Sequence, residues 1–216
     1  MINSESAVEQ SPLACLYMGL KKYNKAEKKI DVSIRVFQEL KSKYQLCFIF
    51  NDKAELCFIL KRFDEAKILC EESNKSAEEI GNQFVSFYNN LLLLKIEFYQ
   101  SNDLLKKEKQ INEMKKILSK AKGGYAISTL NYELYKMTNQ LLMNNYNLAK
   151  NDKHKYFLQA KDYKDKALKL NKEAYKKTPD IEYKERIEEM EEEGTREKGK
   201  RKKKMKKKTL YPLPAP

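Results

Sequence analysis

Between residues 13 and 178 the apolar side chains of this chain return at helical spacing. Ala26, Ile30, Ile34, Phe37 and Leu40 fall three or four residues apart, which gathers them on one side of an α-helix. Ile111, Met114, Ile117 and Leu118 repeat the pattern, as do Ile127, Leu130, Leu134, Met137 and Leu141. Breaks fall at Gly81-Asn82, Ser101-Asn102-Asp103, Gly123-Gly124, Asn151-Asp152 and Thr178-Pro179-Asp180. Each is a set of turn or capping residues. The pattern predicts helices over residues 4–20 (with Pro12 as a break or kink), 24–40, 46–60, 64–80, 84–100, 104–121, 125–149, 155–177 and 181–193. Asp64 suits the N-cap of the fourth, since its carboxylate can accept from unpaired N–H groups. Thr178 suits the N-cap of the last, with Pro179 in its first turn and Asp180 at its positive end.

A segment of this pattern occurs twice, forty residues apart. Residues 20–26 read LKKYNKA and residues 60–66 read LKRFDEA, and Ala14 matches Ala54. A fixed period of this size marks stacked helical hairpins. Two antiparallel helices leave an apolar face uncovered, so each pair must stack on the next. Small residues let the helices approach, and an aromatic plugs the turn. Ala14, Tyr23 and Ala26 have this arrangement, as do Ala54, Phe63 and Ala66.

Composition supports an all-α chain. Its 216 residues are 41 % hydrophobic and 35 % charged, and the five prolines stand at 12, 179, 212, 214 and 216. Residues 13–178 therefore contain no helix breaker of that kind. The net charge of +13 concentrates between Arg196 and Lys208, where ten Lys or Arg meet one Glu. The basic character thus belongs to the tail rather than to the fold, and the residues after 193 are expected to be disordered. Cys15, Cys47, Cys57 and Cys70 form no CxxC pair and read as small apolar core residues in a reducing compartment. One histidine, His154, cannot build a His-rich metal site. There is no charged-then-apolar leader and no apolar run of the roughly 20 residues a membrane span needs. A cytoplasmic location is expected, or a nuclear one in a eukaryote, given the lysine run.

At the repeat residues the chain resembles the tetratricopeptide repeat family, whose pattern places a small residue, an aromatic nine residues on and an alanine three further. Ala54–Phe63–Ala66 and Ala14–Tyr23–Ala26 match both spacings. Ala167, Ala174 and Pro179 fit the family's later alanine, alanine and proline positions, although Tyr163 stands one residue from the aromatic place. The third copy is degenerate, since adding forty to Phe63 and Ala66 reaches Asp103 and Lys106. The forty-residue period exceeds the family's usual length of about 34. It is closer to the long arrays of bacterial signalling regulators and of kinesin light chains. AKILCEESNKSAEEIGNQ and KEAYKKTPDIEYKERIEEME look like those bacterial arrays. The resemblance implies an α-α superhelix, a solenoid of about four hairpins over residues 1–193 with a basic tail over 194–216.

It also implies a function. In this family a partner segment lies in a groove lined by the first helix of each pair. Carried across, the groove positions are Asn51, Glu55 and Phe58 in the second repeat and Lys95 and Phe98 in the third. An asparagine there can clamp a peptide backbone, since its amide both donates and accepts. The bland reading makes both phenylalanines core residues and the polar members solvated. Enzyme motifs are missing: no glycine-rich phosphate loop, HExxH or GxSxG occurs, so neither catalysis nor a cofactor or metal is expected. The expected role is a protein-binding scaffold or sensor. Two alternatives stay open. One is a nucleic-acid-associated adaptor anchored through Arg196–Lys208, which could also touch an anionic surface. The other is a remnant of a multidomain regulator carrying a kinase, cyclase or DNA-binding domain.

Overall fold

The computed structural model describes residues 4–144 and 148–192, with side chains from residue 11 onward. It divides into two compact units, Met1–Ile117 and Leu118–Pro216. That division falls inside the single repeat domain drawn over residues 1–193, and the basic tail lies outside the described residues. Every regular element among the described residues is a helix.

The first unit contains α1 (Ser4–Gly19), α2 (Tyr23–Glu39), α3 (Lys43–Ile59), α4 (Phe63–Glu79), α5 (Gln83–Gln100) and most of α6 (Leu104–Lys120). Its helices stop on a twenty-residue beat. Lys21, Lys41, Lys61 and Gly81 all have positive φ, at 56°, 52°, 61° and 68°. Around each, the chain closes the same pair of bonds. Lys21 N–H donates to Met18 and Lys22 N–H to Tyr17, at 2.9 and 2.8 Å. Lys61 donates to Phe58 and Arg62 to Cys57, at 3.0 and 2.8 Å. Lys41 with Ser42 and Gly81 with Asn82 repeat the arrangement. This is the Schellman closure, which satisfies the last carbonyls of a helix by turning one residue left-handed. Glycine takes that conformation without penalty, whereas an L side chain is strained there.

The beat is visible in the chain as Leu20-Lys21, Leu40-Lys41, Leu60-Lys61 and Ile80-Gly81. The forty-residue match is two of these half-steps. α5 breaks the rhythm. It runs one residue longer and ends at Ser101 in extended backbone, φ −73° and ψ 138°. Asp103 then caps α6, its carboxylate accepting from Leu105 N–H at 2.8 Å.

The alanines close the gaps between helices. Ala14, Ala26, Ala54 and Ala66 are each 0 % exposed. Ala14 and Ala26 join Ile30, Phe37, Ile49 and Leu56 in one core, with half-buried Tyr23 against it. Ala54 and Ala66 join Cys57, Cys70, Leu92 and Ile96, with Phe58 and Phe63 alongside. Each core joins residues of at least three consecutive helices, so the hairpins stack rather than stand alone. Across the seams Arg62 bonds Glu27 at 2.6 Å and Lys53 bonds Asp31 at 2.7 Å.

Several boundaries differ from the expected ones. α1 continues through Pro12 as helix. α4 begins one residue before Asp64, and its N-cap is Arg62 without a side-chain bond. Asp64 instead accepts from Gln100 at 2.9 Å.

The second unit holds α7 (Gly124–Met143), α8 (Lys150–Lys177) and a ninth helix, α9, over residues 181–192. Asn151-Asp152 lies within α8 instead of in a turn, and α7 stops at Met143. Thr178 ends α8, Pro179 sits in the link, and Asp180 is the residue that caps α9, accepting from Glu182 N–H at 2.8 Å. α9 runs parallel to α7, because their contacts keep one offset. Tyr125 bonds Glu182, Thr129 accepts from Arg186 at 3.0 Å, and Tyr132 bonds Glu189, fifty-seven residues apart in every case. Arg186, 8 % exposed, lies over the Tyr132 ring and pairs with Glu182. Ala167 is fully buried beside Tyr132, Tyr135 and Met190. Ala174 is half-buried and Pro179 exposed.

The beat makes a stability prediction. Lys61→Gly removes left-handed strain and raises the unfolding free energy by roughly 0.5–1 kcal/mol, whereas Gly81→Ala lowers it by about 1 kcal/mol. Urea titration of both variants measures this. Equal and opposite signs are the expected result, and a neutral or destabilising Lys61→Gly would remove the strain argument.

Candidate functional site

On α3 the residues Tyr44, Phe48, Asn51, Asp52 and Glu55 recur at helical spacing and share one face. Phe84, Tyr88, Lys95 and Tyr99 do so on α5, and Ser11 and Cys15 on α1. These three faces meet edge to edge. Asp52 accepts from Ser11 Oγ at 3.4 Å and from Cys15 Sγ at 3.8 Å, joining α1 to α3. Asn51 donates to Asn89 Oδ1 at 2.8 Å, joining α3 to α5. Farther along, Lys95 lies 4.9 Å over the Phe58 ring, and Phe58 meets Tyr99 edge-on at 5.5 Å.

Of the five expected groove residues, four lie on this surface. Glu55 is exposed, and Asn51, Phe58 and Lys95 are half-buried. Asn51 is tied into the protein. Its partner Asn89 is 0 % exposed and donates in turn to Ser73 Oγ at 2.7 Å and Asn74 Oδ1 at 2.9 Å. Ser73 donates to the Cys47 carbonyl. This chain of amides sets α5 against α3 and α4, so part of the asparagine's hydrogen-bonding capacity is spent on register.

Phe98 does not belong to the surface. It is 0 % exposed, and α6 covers it with Lys107, whose ammonium stands 4.4 Å over the ring. Lys107 is itself 2 % exposed, and burial lowers its pKa. The next residue, Tyr99, is the one that reaches the α3 face.

The expected set omitted a pair of rings that repeats. The Tyr44 and Phe48 rings meet at 5.3 Å, and forty residues on the Phe84 and Tyr88 rings meet at 4.7 Å, each pair tilted. The two pairs have interplanar angles of 59° and 58°. Tyr44 and Phe84 are each 61 % exposed. The signal was in the chain as aromatics at i and i+4 in both copies. Beside the second pair, an open pocket of about 360 Å³ is lined by Ala77, Glu78, Gly81, Gln83, Ser86 and Phe87.

The electrostatics of the face centre on Asp52. Burial in the α1–α3 seam pushes its carboxyl up to about 7, and the neighbouring Glu55 charge adds to the rise. Ser11 and Cys15 pull it the other way by donating to it. The Cys15 thiol is pushed up to about 12, first by the partial loss of water where its sulfur meets Asp52 and then by the Asp52 and Glu55 charges. It is protonated at neutral pH and therefore a weak nucleophile. Cys47, Cys57 and Cys70 are buried, as a core role requires, but Cys15 is exposed rather than internal.

Among the described residues no group of three or more His, Cys, Asp or Glu is placed to hold a metal ion. No helix among them is long and apolar enough to cross a membrane. No family model, no curated protein and no solved structure matches the chain.

Asp52 gives the fold a pH dependence. The folded state holds its proton up to about 7, whereas the unfolded chain releases it near 3.8. Between these values the native state binds more protons, so stability falls as pH rises and levels off above about 7. Asp52→Asn should flatten that part of the curve and be more stable than wild type on the alkaline side. Urea titrations across this range check it, and an unchanged slope in the variant would rule the assignment out.

Proposed function

We propose that the chain is a non-catalytic protein-binding module of the tetratricopeptide-like kind, taking an extended partner segment on the α1–α3–α5 face. The observation that carries this reading is the recurrence, at forty residues, of a tilted ring pair whose outer member is 61 % exposed. An isolated exposed aromatic needs no explanation. Two matched pairs on successive repeats offer evenly spaced apolar anchors, and aromatic anchors dominate the energy of most protein interfaces. The face is also preformed. Asn51–Asn89, Asp52–Ser11 and Lys95–Phe58 hold its helices in register before any partner arrives. A rigid surface lowers the ordering cost of binding. Between the aromatic ends stand Glu55 and Lys95, which can orient a segment by charge without supplying much affinity.

The test uses the full chain as bait, with the co-purified protein identified and its affinity then measured directly. Tyr44→Ala combined with Phe84→Ala should weaken binding by about tenfold or more, because each removed anchor costs at least 1 kcal/mol when it is a hot spot. Both rings are largely solvated, so the circular dichroism spectrum should not change. A partner held equally tightly by the double variant would refute this face as the binding surface.

A further inference from the structure

Residues 209–216 read TLYPLPAP and lie outside the described residues. Proline at 212, 214 and 216 removes the backbone N–H at each of those positions. Such a sequence can neither continue an α-helix nor pair along a sheet, and the fixed φ of proline favours polyproline II. That helix turns every three residues and rises about 3.1 Å per residue, so residues three apart share one side at intervals of about 9 Å. Leu210, Leu213 and Pro216 have this spacing, with Tyr211 and Pro214 on the adjoining side. The α1–α3–α5 face offers the same interval. Its ring pairs, Tyr44 with Phe48 and Phe84 with Tyr88, occupy equivalent places on α3 and α5. These two helices are direct neighbours, as the Asn51–Asn89 bond shows. Neighbouring helices stand about 8–10 Å apart. An apolar side chain at every third residue of a polyproline II segment therefore meets one ring pair after the other.

We propose that residues 209–216 occupy the ring pairs of their own chain and so compete with an outside partner for the α1–α3–α5 face. This rests on the reading of that face as a binding surface and adds what regulates it. Leu210 lies against one ring pair and Leu213 against the next. Aromatic-lined surfaces suit polyproline II because the segment arrives already ordered. The length of chain before the segment selects the occupant. Residues 193–208, sixteen in number, join the last described residue of α9 to Thr209. Extended, they span at most about 55 Å. That is roughly twice the length of α3, whose 17 residues cover about 25 Å. A short tether holds its segment at an effective concentration on the order of 1 mM, so an intrinsic affinity of only about 0.1 mM fills the face about nine-tenths of the time. A second copy at micromolar concentration fills it to about one per cent at that affinity. The lysines between Arg196 and Lys208 belong to the tether, and residues 209–216 carry no charged side chain. The contact is therefore apolar and insensitive to salt.

The experiment follows, by fluorescence anisotropy, a labelled synthetic peptide with the sequence of residues 209–216 as it binds three forms of the full chain. The first is wild type, whose own segment covers the face. The second carries Leu210→Ser, Tyr211→Ser and Leu213→Ser, which strip that segment of its anchors and open the face. The third adds Tyr44→Ala and Phe84→Ala to the second. The second form should bind the peptide about tenfold more tightly than wild type, because no tethered competitor remains. The third should lose at least tenfold of that affinity, with an unchanged circular dichroism spectrum. Equal binding by wild type and the second form overturns the proposal, and it is the result expected if the segment of a neighbouring copy were the occupant. A third form that binds as tightly as the second overturns it too, since the peptide then lies elsewhere. The two readings fail separately. If no form binds the peptide while Tyr44→Ala with Phe84→Ala still weakens a co-purified partner, the segment is excluded and the binding face stands.

Discussion

Where a helix stops decides what the rest of this chain can do. In the first unit the stop is a single left-handed residue placed every twenty positions, and the hairpin, the core and the exposed faces all inherit that spacing. Twenty residues allow a helix of about five turns and a three-residue reversal. Two such steps return the chain to its starting direction, so α1, α3 and α5 present equivalent faces, as do α2 and α4. The completely buried alanines then set how closely the helices approach. The repeated aromatic pair is a consequence of this metre: residues forty apart arrive at equivalent positions on successive hairpins.

Much of this was legible in the residues, and the legible part has a physical reason. Ala14, Ala26, Ala54 and Ala66 stood out because close approach tolerates only small side chains, which makes them recognisable by type. The helices themselves were visible through apolar spacing and the absence of proline. The finer beat was harder to see because lysine holds three of the four left-handed positions. Lysine is not a turn residue by habit, so Lys21, Lys41 and Lys61 looked like ordinary surface charge. Asn151-Asp152 misled in the opposite sense. Turn-forming residues near a helix start can be absorbed into its first turn, and α8 begins just before them.

The candidate surface divided along similar lines. The groove register implied by the resemblance put Glu55, Phe58 and Lys95 near one another, because a step of forty residues carries from α3 to α5. It failed at Phe98, since the extra residue of α5 and the covering Lys107 are facts about a neighbouring helix. Asp52 could not have been singled out from spacing, because its raised pKa comes from burial against α1 rather than from its own helix.

The constant offset of fifty-seven residues between α7 and α9 has a wider consequence. In the first unit the corresponding offset is near forty, as Ser11 with Asp52 and Phe58 with Tyr99 show. The parallel alignment of neighbouring first helices survives this change, although α8 is eleven residues longer than α4. The intervening helix is therefore a spacer of adjustable length. An architecture of this kind tolerates insertions of whole helical turns in every second helix, so hairpins of different reach can be appended without redesigning the seam that joins them.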